Sequence, residues 1–316
     1  MPKHEPESTG FAPESLPIAT SSGGIPIEDV FLDDVPFSEL GENLPTGLFF
    51  EGQRLRSYTL HPYTGEMEVS LERLFQTRKQ GADKVYSTLR QFLPRAIKDI
   101  GGLPLERFDS DPRRTIDRMD LGDIFSIVLG IRYAYQGKGD IAITGQCPRC
   151  DTVNEDRGDD SQPYHDLGTV SVKCYRHLPQ EPLFDIVLKD GFTVTGEHIL
   201  KLRMRPLRFY QLKKMADPGA GAFPKLSLVS AMMHSFPDSN AYREPRGNFF
   251  DETLYARAID SKEDKEAIFG ALEKLQPGPL MQIDMDCINC GFKWKEALPW
   301  VQLPNFLYGS VNPVRS

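Results

Sequence analysis

The chain has 316 residues, 40% hydrophobic and 26% charged, a balance that suits a globular protein with one large core or two smaller ones. Its longest largely apolar run, Ile124 to Leu129, is far too short to span a bilayer, and the polar, proline-bearing stretch Met1 to Gly10 does not read as a secretory leader. The net charge of −8 is carried by residues 1–50, where nine acids face Lys3 alone, so the remaining body is neutral and offers little to a phosphate backbone.

Residues 1–43 read as an extended, acidic, proline-rich arm. Prolines recur at Pro2, Pro6, Pro13, Pro17, Pro26 and Pro36, which rules out a sustained helix. Val30, Phe31, Leu32, Val35, Phe37 and Leu40 nevertheless stand among the acids. The arm is either an unstructured tail or a segment that orders by burying those side chains against a partner. Folded sequence is expected from Leu44-Pro45-Thr46-Gly47, opening a mostly helical part over 44–146. Arg54 to Pro62 alternates as a strand, Glu68 to Lys79 repeats at helical spacing, and Lys84 to Asp99 makes a second helix stopped by Gly101-Gly102. The strongest helix runs from an Asp120 cap to Gly137, with Asp123 near the positive end of its dipole and a wide apolar face.

Beyond it, Asp140 to Thr144 alternates as a strand and leads into Cys147-Pro148-Arg149-Cys150, while Asp156 to Tyr164 is loop-like. A hairpin is predicted from Leu183–Leu188 and Phe192–Thr195 around a Lys189-Asp190-Gly191 turn, with His198 to Met204 as a third strand. Helices are expected at Leu207–Ala216, Pro224–Phe236, Glu252–Ile259 and Lys262–Leu275, the last capped by Ser261 with Asp264 three residues on. Met281 to Met285 leads into Cys287-Ile288-Asn289-Cys290, Phe292 to Leu298 leaves it, and 299–316 forms an aromatic, proline-bearing tail.

The two CxxC pairs carry the clearest chemistry. Each stands between strand-like segments and is followed by a turn-favouring residue, Asp151 or Gly291. Tight turns of this kind aim two thiolates at one metal, and two of them supply the four sulfurs of tetrahedral zinc. Cys147, Cys150, Cys287 and Cys290 are therefore the predicted ligands of one structural zinc, and 136 residues between the pairs become an insertion within a zinc-ribbon element spanning 147–298. A redox CxxC would open a helix after a strand, which neither pair does. Cys174 and His177 form a CxxH able to replace a ligand, although a lone Cys and His more often serve structure. A closed four-thiolate site has no open position, so it stabilises the fold and activates no water. The expected class is α+β: a helical body, short antiparallel strands and this four-cysteine element.

No catalytic constellation is visible. Gly137-Lys138-Gly139 lacks the spacing and the Ser or Thr of a phosphate loop, and Gly219-Ala220-Gly221 follows no strand. The histidines have no partner at metal or catalytic spacing, and the run Arg203 to Arg208 reads as a solvated face before it reads as an anion site.

The order of these features resembles a family. A Leu-Pro-Thr-Gly entry at 44–47 precedes a strand, and the helix Asp120 to Gly137 (DLGDIF…IRYAYQG) leads to Cys-Pro-Arg-Cys. A Phe-Asp-Ile-Val-Leu hairpin, then Leu202 to Leu207 (LRMRPL), several helices and Cys-Ile-Asn-Cys-Gly follow. Over about 44–298 this resembles the baseplate proteins of contractile-tailed phages, the group of the T-even hub assembly protein and its relatives in other contractile injection machines. The resemblance implies a non-enzymatic baseplate component or assembly factor in the virion tail or an injection particle. It implies zinc on the four cysteines, and other baseplate or tail proteins as partners. The arm and the C-terminal tail are the expected contact segments. The alternative is a zinc-ribbon module for nucleic acid or transcription machinery, which the acidic arm disfavours.

Overall fold

The computed structural model describes residues 24–76, 81–136, 140–143, 145–154, 164–176, 181–194, 196–215, 224–239, 259–298 and 306–307. Helices and mostly antiparallel strands pack around two hydrophobic cores. The first core gathers Phe37 to Cys174, Phe209, Leu212 and the chain from Ile283 onward. The second takes Ile27, Val30 and the chain from Tyr175 to Leu275.

The first core rests on the hairpin Asn43–Phe50 and Gln53–Leu60, with Ile97–Ile100 as third strand. Its turn places Glu51 and Gly52 at φ 47° and 83°, the left-handed pair whose twist suits a two-residue hairpin loop. The helix Gly81–Ala96 contributes Val85, Leu89, Phe92 and Leu93, spaced to share one face. The predicted central helix is present as Leu121–Gln136, and its Ile124, Ile127, Leu129 and Ile131 are fully buried. Tyr58 stacks so close to Gly130 of this helix that any Cβ there would strike the phenol oxygen.

The second core is built on Phe184–Val194 paired with Glu197–Met204, flanked by Ile25–Pro26 and Met233–Ser235. The helix Lys262–Lys274 covers it with Ile268, Ala271 and Leu272. Ser261 caps that helix as predicted, its hydroxyl accepting the Asp264 N–H. Among the described residues no helix is long and apolar enough to cross a membrane.

Several boundaries move for physical reasons. The Lys189-Asp190-Gly191 turn is instead an irregularity within one long strand, and the hairpin reverses between Val194 and Glu197. The buried Asp264 carboxylate explains it, accepting the N–H groups of Lys189 at 2.7 Å and Gly191 at 2.8 Å that a regular ladder would have used. The second predicted helix ends at Ala96, three residues before Asp99, because Ile97–Ile100 pairs with Tyr58–Leu60. Leu207–Ala216 condenses to the 3-10 turn Phe209–Gln211 and the short helix Leu212–Met215, and Pro224–Phe236 becomes the helix Pro224–Met232 followed by a strand. From Gly24 the acidic arm is laid onto the body, burying Ile27, Val30 and Phe37 against this same chain, whereas Phe31 stays exposed. Within the tail, Phe306 and Leu307 are fully buried in the first core, and the Phe306 carbonyl accepts from the buried Arg132 guanidinium. Glu252 to Ala258 of the predicted helix, both glycine loops at 137–139 and 219–221, and His177 lie outside the described residues.

The two cores interleave along the chain. Apart from Ile27 and Val30, the second core draws on residues between Tyr175 and Leu275, while the strand Gln282–Asp286 returns Ile283 and Met285 to the first.

Candidate metal centre

Each CxxC is the tip of a small antiparallel hairpin: Gly145–Gln146 with Val153–Asn154, and Gln282–Asp286 with Lys293–Ala297. The two tips share the same pair of backbone bonds. Cys147 N–H donates to the Thr152 carbonyl at 2.9 Å, and Cys287 N–H donates to the Phe292 carbonyl at 2.8 Å. The Asp151 N–H returns to the Cys147 carbonyl at 2.9 Å, and Gly291 N–H to the Cys287 carbonyl at 3.0 Å. Asp151 and Gly291 close the turns at φ 56° and 65°, the left-handed conformation that Gly and, among others, Asp tolerate. Inside each turn an N–H points at the first sulfur: Arg149 N–H to Cys147 Sγ and Cys290 N–H to Cys287 Sγ, both 3.4 Å.

These local turns converge. Sγ of Cys147 and Cys290 are 3.7 Å apart, those of Cys150 and Cys287 are 3.5 Å apart, and all four lie within 4.8 Å of one another. Four sulfurs at zinc–thiolate distance on a tetrahedron stand about 3.8 Å apart, so the donor set fits an ion of that size. Cys147 and Cys287 are buried, and Cys290 lies toward solvent. The hairpins also pack on each other, with Gly145 so close to Met285 and Trp294 that a side chain there would push into them.

The thiols are electrostatically unequal. The Thr152 hydroxyl, 3.2 Å from Cys150 Sγ, and the Thr152 backbone N–H pull the Cys150 thiol down to about 6. The Cys290 backbone N–H lowers Cys287. Cys290 is pushed up to about 12: the Phe292 N–H stabilises its thiolate, but removal from water and then the three neighbouring sulfurs outweigh it. A group of thiols this close can lose all its protons only when a cation sits among them, which is what a divalent metal supplies. The four predicted ligands are thus brought together and can hold a metal ion such as zinc. Cys174 is not among them. It lies in Ser171–Tyr175 opposite Asp33, and burial pushes its thiol up to about 11.

Two supporting residues escaped the sequence reading. Asn289 donates to the Thr152 hydroxyl at 3.2 Å and reaches Cys150 Sγ at 3.8 Å, bridging the two knuckles. The only signal is their position inside or shortly after a CxxC.

A larger omission lies where the two cores meet. Asp123, read from sequence as a helix-dipole partner, is fully buried and accepts the N–H groups of Thr46 at 2.8 Å and Gly47 at 2.9 Å. Arg54 grips the same pair from its other side, donating to both carbonyls at 3.2 Å. Asp120 bridges to Arg208 through the backbone, and Leu121 N–H donates to the Leu207 carbonyl at 2.7 Å. Removal from water raises the carboxyl of Asp120 although Arg208, Arg54 and Arg205 oppose it. Removal from water, then the charge of Asp120, raises that of Asp123. Gly122 completes the seam: the Pro277 carbonyl and Gly278 sit where its Cβ would be. The half-buried arginines at 205 and 208, read as a solvated face, instead act on the carboxyl of Asp120. Comparison with protein-family models, with curated proteins and with solved structures returned no match.

Proposed function

We propose that the protein is a non-enzymatic structural or assembly component of a contractile phage tail or related injection particle, clasped by one structural zinc in a zinc-ribbon element. One observation carries the reading. Most of the segments that resemble the baseplate family meet at two places that tie the chain together. Leu44–Gly47, the start of the central helix and the end of the LRMRPL segment converge on Asp123, Asp120 and Arg208. The two CxxC segments converge on the thiol cluster. What the resemblance spans is thus scaffold, and scaffold is what a permanent particle component shares with its relatives.

The zinc reading rests on the sulfur spacing and on the all-thiolate donor set, which leaves no position for water or substrate. When bound, the metal supplies cross-linking energy and no Lewis-acid chemistry. The chain's own residues orient it: backbone N–H groups at Arg149 and Cys290 steady two sulfurs, and Asn289 joins the knuckles.

Quantitative mass spectrometry of purified contractile particles from the source tests the reading. The expected result is the chain at stoichiometric level in the particle, in the virion tail or injection apparatus. Absence from particles, with salt-dependent retention on DNA by the zinc-loaded protein, would replace it with the nucleic-acid alternative.

A further inference from the structure

Residues 24–40 cross from one core to the other and lie at a sheet edge on both sides. At the second core, Ile25–Pro26 adds a parallel strand against Phe184 and Asp185, and Ile25 N–H donates to the Leu183 carbonyl at 2.9 Å. Ile27 and Val30 then sink into the apolar interior. At the first core, Leu32–Pro36 runs antiparallel along Ser171–Tyr175, from Leu32 opposite Tyr175 to Pro36 opposite Ser171, and Phe37 is buried beyond it. Both strands are outermost in their sheets. Lifting the segment away therefore breaks no interior strand; it uncovers two edges and the sockets of Ile27, Val30 and Phe37.

The segment joins the body through Gly41 and Glu42, both exposed. Gly41 stands at φ 58° and ψ −137°, a conformation open to glycine alone, with nothing near the place of its missing Cβ. Charge matches on the two sides. The segment carries Glu28, Asp29, Asp33, Asp34 and Glu39 and no base. Its seat supplies Arg176, which holds Asp33 with its nearest nitrogen at 2.6 Å, and the Ser171 hydroxyl, 3.3 Å from Asp34.

We infer that this segment is exchangeable: residues 24–40 of one copy occupy the same two sheet edges and sockets on a second copy of the chain. Every contact in the exchanged form already exists within one copy, so the balance is set by the hinge at 41–42 and by concentration, with no new surface required. Backbone pairing at the edges gives affinity, and the three apolar anchors with the Asp33–Arg176 pair fix register. Reciprocal exchange closes a dimer, and one-way exchange links copies in series. The exchange does not depend on the baseplate reading.

A cysteine already stands in the seat. Cys174 lies directly opposite Asp33, so Asp33→Cys in the full, zinc-loaded chain places two thiols face to face, and mild oxidation by disulfide exchange with oxidised glutathione records which chain donated the arm. Within one copy the product is a cross-linked monomer on a non-reducing gel. With exchange it is a cross-linked dimer, whose share rises several-fold as the protein is equilibrated from dilute to concentrated solution before oxidation. That dimer is absent from Asp33→Cys, Cys174→Ser. Val35→Cys with Val172→Cys, the next pair in register on that face, repeats the test should loss of the Asp33–Arg176 bond disturb folding. Cross-links confined to monomers at every concentration in both variants would overturn the proposal, as would Asp33→Cys dimers that persist when Cys174 is replaced by Ser.

Discussion

The thiol cluster and the buried acid–arginine seam do the same job by opposite means. Each fastens stretches far apart in sequence, the cluster joining 147–150 to 287–290 and the seam joining 46–47, 54, 120–123 and 205–208. In the cluster, every knuckle is shaped by its own backbone bonds, and the pair need only be brought together. In the seam no residue is prepared locally. Asp123 is an ordinary helix-start acid until the strand at Thr46 and Gly47 closes over it. The energetics differ accordingly. The cluster would gain the binding energy of an ion placed among its sulfurs, whereas a buried charge network roughly breaks even against its own desolvation and chiefly penalises any other arrangement.

Breaking the cluster gives the largest expected effect. Cys287→Ser, or a strong chelator acting on the native chain, should lower stability by several kcal/mol and the melting midpoint by on the order of 10 °C, read by calorimetry. Excess zinc should rescue the chelated protein and leave the variant unrescued. Next comes the seam. Asp123→Ala strands the Thr46 and Gly47 N–H groups in a buried place, at a cost of about 2–4 kcal/mol in urea unfolding, partly offset by relief of the charge on Asp120. If the two fasteners are independent, this variant keeps its full zinc content and its loss adds to that of Cys287→Ser.

A smaller effect sharpens the electrostatic side of the contrast. Asp120 and Asp123 are raised to about 6 and about 7, above the ordinary carboxylate value. A carboxyl held more tightly protonated in the folded chain contributes its stability fully below about pH 4 and loses it as pH climbs through 6 and 7. Asp120→Asn should therefore flatten the decline of stability between about pH 5 and about pH 8, by on the order of 1–2 kcal/mol against the parent chain. Equal slopes in the two proteins would remove the seam from the account. The smallest effect belongs to the arm. Gly24 leaves no room for a Cβ beside the Asp185–Arg203 ion pair, so Gly24→Ala should cost about 1 kcal/mol and speed hydrogen exchange at Ile25, with metal content unchanged.

The same contrast explains what could be read from the chain beforehand. The clustering of the four cysteines was legible because knuckle spacing is a local pattern, and the central helix because its apolar stripe is one. The Ser261 cap was legible for that reason too. Misplaced boundaries occur where a distant partner intervenes: Asp264 straightens a predicted turn at 189–191, and Tyr58–Leu60 draws Ile97–Ile100 out of a predicted helix. Val30 and Phe37 of the arm were singled out as needing cover, but periodicity cannot say that their cover, and that of Ile27, lies on the same chain. Asp120, Asp123 and Arg208 form no motif at any spacing, and only the meeting of two cores joins them.

Native mass spectrometry alongside elemental quantification, on the chain purified without added metal, decides whether the thiol cluster is a metal clasp. The account predicts one zinc per chain, released together with the loss of four protected thiols and absent from Cys287→Ser. A metal-free chain that melts at the same temperature with and without chelator would contradict it.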